Sequence, residues 1–218
     1  MKKYPVNPTE FNVNPATGFQ WEWYDRDYFI SKDGRKEFPD HHCKITWVAS
    51  KPYINSFRNA IDIGCRDGEY TRYLHKHFIR TFCFDYRFRK LFTRNVDLKR
   101  VTHFRCGLGS KHEVIRVSGG GSMFSEGKRK KEDWYEETIY TLDSFNLPNI
   151  DYIKIDVDGF ERRVLEGSVE TIRKYSPLVV IEAENGDETG ISFLRDELNY
   201  EIAAWDNLQR NVVMRKIV

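Results

Sequence analysis

The stretch that most constrains the fold of this chain runs from Asn59 to Leu74. It opens with a short apolar segment, broken only by Asp62, and continues into a turn that contains Gly64 and Gly68. After Gly68 the apolar residues recur at helical spacing. The stretch therefore predicts a strand, a glycine turn and a helix. In such a unit the glycines let a ligand approach the backbone, and the helix N-terminus offers unpaired N–H groups.

Two kinds of adenosine ligand bind at turns of this general type. Dinucleotides use the spacing G-x-G-x-x-G, in which the second glycine lets the pyrophosphate approach the backbone closely. Arg66 stands at that place here, which disfavours a dinucleotide. The spacing D-x-G-x-x-x-G, from Asp62 to Gly68, instead resembles the first loop of class I S-adenosylmethionine (SAM)-dependent methyltransferases. A purely structural glycine turn stays open as an alternative on this stretch alone.

The second predicted strand, residues 81–85, is apolar until it ends on Asp85. An acid about twenty residues past the glycine turn can accept hydrogen bonds from the two hydroxyls of a ribose. Nicotinamide dinucleotides and SAM both carry such a ribose. Asp85 therefore supports an adenosine ligand without choosing between them.

From residue 59 onward the chain alternates predicted strands and helices, which is typical of a parallel sheet covered on both faces. Five core strands are predicted at 60–64, 81–85, 101–106, 151–157 and 177–183, a short extra strand at 113–117, and a terminal hairpin at 200–205 and 211–216. One helix is predicted over Phe160–Lys174. We expect an α/β fold with a Rossmann-like, doubly wound, mostly parallel seven-stranded sheet and a terminal antiparallel hairpin. Residues 1–218 would form one domain, with the SAM-binding core at 59–218.

Residues 1–50 are predicted to be irregular because four prolines punctuate them. They are also rich in aromatic residues, so we expect a cap or substrate flap rather than a free tail. His41 or His42 could contact the substrate, whereas the lack of a second Cys/His pair at ligand spacing disfavours zinc. The glycine-rich and basic stretch 118–133 is predicted to be a mobile loop. These two regions are where we expect acceptor specificity.

Composition narrows the partners and the compartment. The 218 residues include 35 basic and 33 acidic ones, and this balance gives no electrostatic reason to expect a nucleic-acid partner. No apolar run approaches the length of a membrane span. The four cysteines form no C-x-x-C pair, which favours buried free thiols. We therefore expect a cytoplasmic protein.

Acidic residues and glycines cluster at the predicted carboxyl ends of the strands, where open α/β sheets bind their ligands. They are Asp62, Gly64, Asp85, Gly107, Asp156, Asp158, Glu182 and Glu184. An unpaired buried charge is costly, so a sheet without a site has little reason to end its strands in this way. The pattern therefore indicates one shared cleft.

The second half of the chain carries four linked motifs in order: Thr141-Leu-Asp-Ser144, Ile150-Asp-Tyr-Ile-Lys-Ile-Asp-Val-Asp-Gly-Phe-Glu161, Val164-Leu-Glu-Gly167 and Pro177-Leu-Val-Val-Ile-Glu182. Together with the glycine turn, this series resembles the FkbM-type methyltransferases over Ala60 to about Glu182. Two departures are Asp158, where the family usually has Glu, and Asp85-Tyr86, where Glu-Pro is common. The resemblance implies the class I methyltransferase fold.

The resemblance further implies methyl transfer from SAM to an acceptor oxygen, often that of a sugar or other small hydroxylated molecule. We assign the cofactor site to Asp62, Gly64, Arg66, Gly68, Asp85, Tyr86, Gly107 and Leu108. The reaction needs alignment of the reactants and removal of a hydroxyl proton, for which Asp156, Asp158 and Glu182 are the candidate bases. In a strand Asp156 and Asp158 would share one face, so a divalent metal on this pair is a second hypothesis.

Other interpretations stay open. The chain could be a non-catalytic SAM-binding or scaffold protein that keeps the fold, or, less favoured because of Arg66, a nicotinamide-dependent oxidoreductase. Asp158 could merely cap the following helix, with Lys154 and Glu161 in structural ion pairs. Nucleic-acid methyltransferases of the amino-directed type resemble one another in an Asn/Asp-Pro-Pro-Tyr/Phe tetrad. This chain has Asp-Val-Asp-Gly at that place, from Asp156 onward, so it does not match the tetrad and this class is disfavoured.

Overall fold

The computed structural model describes residues 29–30, 36–37, 42–87, 89, 91–118, 134–183, 188–208 and 210–217. The strands are β1 (Phe29–Ile30), β2 (Lys36–Glu37), β3 (Asn59–Ile63), β4 (Arg80–Phe84), β5 (Val101–Phe104), β6 (Gly107–Leu108), β7 (Glu113–Ser118), β8 (Trp134–Tyr140), β9 (Ile150–Ile155), β10 (Leu178–Glu182), β11 (Tyr200–Trp205) and β12 (Asn211–Lys216). The helices are α1 (His42–Ser50), α2 (Thr71–His77), α3 (Phe92–Asn95), α4 (Glu161–Glu166), α5 (Val169–Tyr175) and α6 (Thr189–Leu198). Short 3₁₀ turns lie at Lys51–Tyr53 and Leu142–Phe145.

Seven strands form the central sheet in the spatial order β11-β12-β10-β9-β3-β4-β5. The five adjacent strands β10, β9, β3, β4 and β5 are parallel to one another. Strand β12 runs antiparallel to both β10 and β11, between which it lies. This architecture confirms the predicted mostly parallel seven-stranded sheet with a terminal antiparallel hairpin.

Apolar side chains cover both faces of the central strands, as expected for a sheet packed on both sides. One face carries the larger core, which includes Ile61, Ile63, Phe82, Phe84, Ile153, Ile155, Val179 and Ile181. The other face packs against α1 and α2 through Ala60, Tyr152, Leu178, Val180, Tyr70, Tyr73, Leu74, Cys43 and Trp47. All four cysteines are buried free thiols, as expected.

A second, three-stranded sheet is inserted between β5 and β9. Its order is β6-β8-β7, with β6 parallel and β7 antiparallel to β8. Strand β7 is the short extra strand that the sequence predicted. The insert follows the carboxyl end of β5 and therefore starts at the edge of the sheet where the predicted site lies.

The irregular structure predicted for residues 1–50 is wrong for its last nine residues, which form α1. The buried positions of this helix are Cys43, Thr46, Trp47 and Ser50, at the spacing of one helical face. Two of the four are polar, so the pattern of apolar residues alone does not reveal the face. The remainder of the N-terminal segment, apart from β1 and β2, lies outside the described residues, as do His41 and residues 119–133, for which the sequence predicts a loop.

Polar contacts fix α1 at its middle and at its C-terminal end. The Thr46 hydroxyl donates to Asp206 Oδ2 at 2.9 Å, in the turn between β11 and β12. Ser50 Oγ lies 2.9 Å from the Tyr152 hydroxyl, which also bonds to the Tyr70 hydroxyl. The helix is therefore tied to the terminal hairpin, to β9 and to the segment that follows the glycine turn.

The single helix predicted over Phe160–Lys174 is also wrong, because the chain breaks it into α4 and α5. At the break, a Cβ atom on Gly167 would overlap the carbonyl oxygen of Gly109. Ser168 turns the chain and donates its hydroxyl to the carbonyl of Val164 at 2.6 Å. This close backbone approach ties the helices to the inserted sheet, and it depends on a residue about sixty positions away that helical periodicity cannot take into account.

Among the described residues, the helices are all too short or too polar to cross a membrane.

Candidate functional site

The glycine turn that follows β3 is held by both neighbouring strands. The Gly64 N–H donates to the carbonyl of Phe84 at 2.9 Å, at the end of β4. On the other side, a Cβ atom on Gly64, whose φ is +83°, would overlap the carbonyl oxygen of Asp156. Gly68 also has a positive φ, of +84°, and packs against Val96. Both glycines are therefore required by the backbone itself, in addition to any ligand.

Asp85 joins this turn to the end of β4. One of its carboxylate oxygens accepts the N–H of Arg66 at 3.0 Å, and the other accepts the N–H of Arg87 at 2.8 Å. Burial raises the pKa of Asp85, while these two backbone donors act in the opposite direction. A carboxylate has about four acceptor positions, so two backbone donors leave capacity for the hydroxyls of a ribose. Asp85 therefore fits the role that the sequence predicts for it.

The other residues assigned to the adenosyl end of the site are Tyr86, Gly107 and Leu108. Tyr86 is half-buried, and the Arg87 guanidinium lies 5.3 Å from the centre of its ring. Gly107 and Leu108 form β6, so they belong to a strand rather than a loop. The Leu108 side chain is part of the core. A ligand at this edge would meet the backbone of Leu108 rather than its side chain.

Arg66 lies at the tip of the glycine turn with a φ of 45°. Partial desolvation lowers the pKa of its guanidinium, and the carboxylates of Glu69, Asp156 and Asp158 raise it by more. Arg66 therefore stands between the turn and the end of β9.

Asp62 is buried on β3 and accepts a hydrogen bond from the Thr71 hydroxyl at the start of α2. Burial raises the pKa of Asp62 to about 7, although Thr71 and Lys154 both favour the ionised form. In the sheet, Asp62 pairs in register with Lys154 of β9. Its carboxyl is therefore part of the internal support of the turn.

Lys154 is a buried cation in the middle of the sheet, with only 3% of its side chain exposed. Its Nζ donates to Asp156 Oδ2 at 3.1 Å and to the carbonyl of Ile155 at 3.2 Å. Burial lowers the pKa of the Lys154 ammonium, but Asp156 and Glu182 outweigh this effect and the pKa is raised. Lys154 is therefore positively charged at neutral pH and makes the ion pair that the structural interpretation predicted.

The expectation that Asp156 and Asp158 share one strand face is wrong. Strand β9 ends at Ile155, and the chain then turns through Asp158, which is exposed and has a φ of 54°. Glu161 Oε1 accepts the N–H of Val157 at 2.9 Å and so holds this turn in place. The Val157 N–H is thus bonded to the first residue of α4 and holds the chain in a turn. The strand therefore ends two residues earlier than predicted.

Glu182 ends β10, next to β9 in the sheet. Its Oε1 lies 3.9 Å from Nη2 of Arg210, in the segment that leads into β12, and 14% of its side chain is exposed. Glu184, which the sequence also places at this edge, lies outside the described residues. Among the candidate bases, Asp156 and Glu182 thus stand on adjacent strand ends.

The donor set does not fit the hypothesis of a divalent metal on Asp156 and Asp158. In the described part of the chain, no group of three or more His, Cys, Asp or Glu side chains could hold a metal ion. The ammonium of Lys154 already lies against the Asp156 carboxylate. Asp156 is thus engaged by a cation that belongs to the protein.

The structure gathers the assigned residues at one edge of the sheet in two halves. The glycine turn, Asp62 and Asp85 lie at the ends of β3 and β4, and the carboxylates of Asp156 and Glu182 lie at the ends of β9 and β10. Sequence reasoning did not give Lys154 a place in the site. A single lysine inside an apolar strand was the available signal, because lysine is almost never fully buried unless it is paired.

A separate cleft of about 930 Å³ opens at the opposite, amino edge of the sheet. Tyr53, Arg58, Asp151, Tyr175 and Arg215 are among its lining residues. Two ion pairs lie among its lining residues, Arg58 with Asp151 and Arg215 with Glu201. Because ligands of such sheets bind at the carboxyl edge, this cleft is distinct from the candidate site.

Comparisons with known proteins agree with the fold described above. A family model described as the methyltransferase FkbM domain matches residues 49–208, which is well over half of the chain. None of the curated proteins matches the sequence.

Two solved structures illustrate the likeness of fold. The methyltransferase FkbM from Methylobacillus flagellatus KT is 16% identical, with a TM-score of 0.54 over 78% of this chain and 47% of that one. This chain thus spans about half of the length of that structure. The precorrin-8w decarboxylase from Methanobacterium thermoautotrophicum is 10% identical, with a TM-score of 0.52 over 88% of this chain and 97% of that one. At these identities the likeness concerns the fold alone.

Proposed function

Since this chain belongs to the FkbM methyltransferase family, we propose that it transfers a methyl group from SAM to a hydroxyl oxygen of a sugar or other small hydroxylated acceptor. The observation that carries the proposal is the pairing of two half-sites on one sheet edge. Asp85, with acceptor capacity beyond its two backbone donors, serves the ribose. Asp156 and Glu182, on the adjacent ends of β9 and β10, serve the acceptor.

The residues at the cofactor half would bind and orient SAM. The backbone of the turn from Gly64 to Gly68 would lie against its methionine portion, and Tyr86, Gly107 and Leu108 would border its adenine. When bound, SAM supplies a methyl group on a positively charged sulfur, which becomes a neutral thioether as the methyl leaves. The carboxylates at this edge complement that positive charge.

The residues at the acceptor half would handle the proton. A neutral hydroxyl is a poor nucleophile, so a base must take its proton as the oxygen bonds to the methyl carbon. Asp156 is the first candidate because its carboxylate is partly exposed at the end of β9. Glu182 and Asp158 are the alternatives at this edge. Holding the acceptor close to the methyl group supplies the remainder of the rate enhancement.

We also propose that the protein works in a reducing compartment such as the cytoplasm. Four buried free thiols support this proposal, because such thiols persist where disulfides do not form.

The test begins with calorimetric titration of the protein with SAM, its thioether product and NAD. SAM should bind and NAD should not. An Asp85→Asn variant should bind SAM roughly tenfold more weakly or worse, since it removes charged hydrogen bonds of about 1.5–3 kcal/mol each. Asp196→Asn, on the exposed face of α6, is the matched control and should bind like the wild type. Absence of SAM binding would refute the proposal.

Turnover is then tested with methyl-labelled SAM against sugars and nucleotide-sugars, with and without EDTA. Label transferred to an acceptor oxygen, and strongly reduced but still measurable in Asp156→Asn, would support O-methylation. Tight SAM binding without transfer to any acceptor would favour the alternative of a non-catalytic SAM-binding protein. Binding of NAD in place of SAM would favour an oxidoreductase.

A further inference from the structure

Lys154 occupies a position that packing alone does not explain. It points to the face of β9 that also carries Tyr152, in a core formed by α1 and α2. Its neighbours in register are Asp62 on β3 and Val180 on β10. Replacing a buried ion pair by apolar residues of similar size is often neutral or stabilising, so such a pair is weak evidence for a purely structural role.

Three acidic side chains lie around Lys154, either level with it in the sheet or nearer to the carboxyl edge. Asp62 faces it across the strand pair, Asp156 receives its hydrogen bond, and Glu182 is one of the two charges that most raise its pKa. The aromatic ring of Tyr70 lies 5.8 Å from Nζ on the helix side. A charged ammonium has three donors and no acceptor. Lys154 therefore cannot take a proton from a substrate and acts through the carboxylates that it touches.

Asp156 is the carboxylate that this contact controls most directly. Its backbone is fixed because its N–H donates to the carbonyl of Ile63 at 3.0 Å, beyond the last residue of β9. Its side chain is 31% exposed at the carboxyl edge of the sheet. With the backbone fixed, the side-chain rotamer of Asp156 decides where the carboxylate points, and the Lys154 hydrogen bond selects that rotamer.

We propose that Lys154 is a positioning residue for methyl transfer, whose ammonium holds the Asp156 carboxylate in the orientation that receives the acceptor's proton. This inference rests on the function proposed above. Lys154 itself touches neither reactant. Its contribution is to keep a partly exposed base from turning toward solvent between turnovers, which is the kind of preorganisation that catalytic side chains need.

Crystal structures of the wild type and of Lys154→Met test the positioning directly and need no acceptor. Met keeps an unbranched side chain of similar length and removes the charge. In Lys154→Met the Asp156 carboxylate should leave its wild-type orientation, whereas in the matched control Lys99→Met, at an exposed site, it should not. An unchanged Asp156 in a folded Lys154→Met protein would overturn the proposal.

Kinetics with an acceptor found by the labelled-SAM screen separate a positioning role from a merely structural one. Lys154→Met should lower kcat by roughly 10- to 100-fold, since a misplacement of about 1 Å can cost that much, with little change in the KM for the acceptor. In an Asp156→Asn background the same substitution should have no further effect, because the two residues act as a unit. Equal losses in both backgrounds would overturn the proposal.

Lys154→Arg covers the case in which the Met variant does not fold. It keeps the positive charge, so Asp156 should stay engaged and part of kcat should remain. A folded Arg variant with Asp156 turned away and kcat at the wild-type level would overturn the positioning role. Failure of the wild type to bind SAM would instead refute the proposed function, while the crystal structures still report on the orientation of Asp156.

Discussion

Two structural constraints require a glycine at position 64. Its φ of +83° lies in the region that residues with a side chain avoid, and its α-carbon stands against the Asp156 carbonyl with no room for a Cβ atom. The cofactor half and the acceptor half of the site thus touch each other through the backbone at this residue. Any displacement of the turn would be passed to the end of β9.

Replacing Gly64 by Ala tests this contact. The left-handed backbone alone costs about 1–2 kcal/mol for a residue with a Cβ atom, and the overlap with Asp156 adds to it. We expect a lower free energy of unfolding in chemical denaturation and loss of SAM binding in calorimetry. Gly190→Ala, on α6 and outside the assigned cofactor site, is the matched control, because its φ is not positive and its Cβ would meet side-chain ends of Ile181 and Leu165 rather than backbone. A Gly64→Ala protein as stable as Gly190→Ala would contradict the role given to this contact.

The buried carboxyl of Asp62 predicts a pH dependence of stability. The folded protein keeps this proton up to about pH 7, whereas the unfolded chain releases it near pH 4. Between these values the folded state binds more protons, so the free energy of unfolding falls as the pH rises. The contribution is of the order of 4 kcal/mol, at 1.36 kcal/mol for each pKa unit. Asp62→Asn should remove it and flatten the decline between pH 4 and pH 7.

Urea denaturation at several pH values measures this slope. Glu197→Gln, at an exposed position of α6, is the control and should keep the wild-type decline. An Asp62→Asn protein whose stability declines as steeply as that of the wild type would show that Asp62 is already ionised in the fold.

At the scale of elements, α1 joins the site to the N-terminal part of the chain. Trp47 is its main apolar anchor, stacked on His77 at 5.0 Å and tilted against Tyr152 at 6.1 Å between ring centroids. The hydroxyl groups of Tyr152 and Tyr70 connect this helix to the segment after the glycine turn. The position of α1 is therefore coupled to the cofactor half through buried contacts.

Truncation of Trp47 should undock this helix. Trp47→Ala removes a buried aromatic side chain and should cost about 3–5 kcal/mol in guanidinium denaturation. Val48→Ala, on the exposed face of the same helix, should change stability by less than about 0.5 kcal/mol. Similar losses for the two variants would contradict the role of Trp47 as the docking anchor, because both substitutions introduce the best helix former and neither weakens the helical propensity of α1.

The elements that the sequence predicted well are those whose signal is local. The central strands have mostly apolar sequences because they are buried on both faces, with Asp62 in β3 and Lys154 in β9 as interruptions. The hairpin around Asp206 was predicted with its observed bounds. Helix α1 was missed because Thr46 and Ser50 complete its buried face through hydrogen bonds. The break at Gly167 was missed because it depends on a contact with Gly109.

The same distinction holds for the site. The sequence predicts which residues stand at strand ends, since parallel strands bring their carboxyl ends to one edge. It cannot predict which neighbours share a face, because that depends on where each strand stops. Because β9 ends at Ile155, Asp158 does not share a face with Asp156. The sequence alone does not show where this strand ends.

At the scale of the whole molecule, the last strand, β12, lies inside the sheet rather than at its edge. Val212, Val213 and Met214 are fully buried, with β10 on one side and β11 on the other. Met214→Ala should lower the free energy of unfolding by about 2–5 kcal/mol. Ile202→Ala, at the register partner of Met214 on β11, should cost much less, because Ile202 is 45% exposed. Thermal unfolding of the two variants side by side measures the difference, and equal effects would contradict the central position of β12.

The spatial order of the last strands also bears on how the chain folds as it is synthesised. Strand β11 leaves the ribosome before β12, yet among the described strands it pairs with β12 alone. Synthesis proceeds from the N-terminus, so all the strands of the parallel core are available while β11 still lacks its pairing partner. The pairing of these strands can be completed only when β12 has emerged as far as Lys216. Until then β10 and β11 each expose an unpaired edge that chaperones or neighbouring chains could bind.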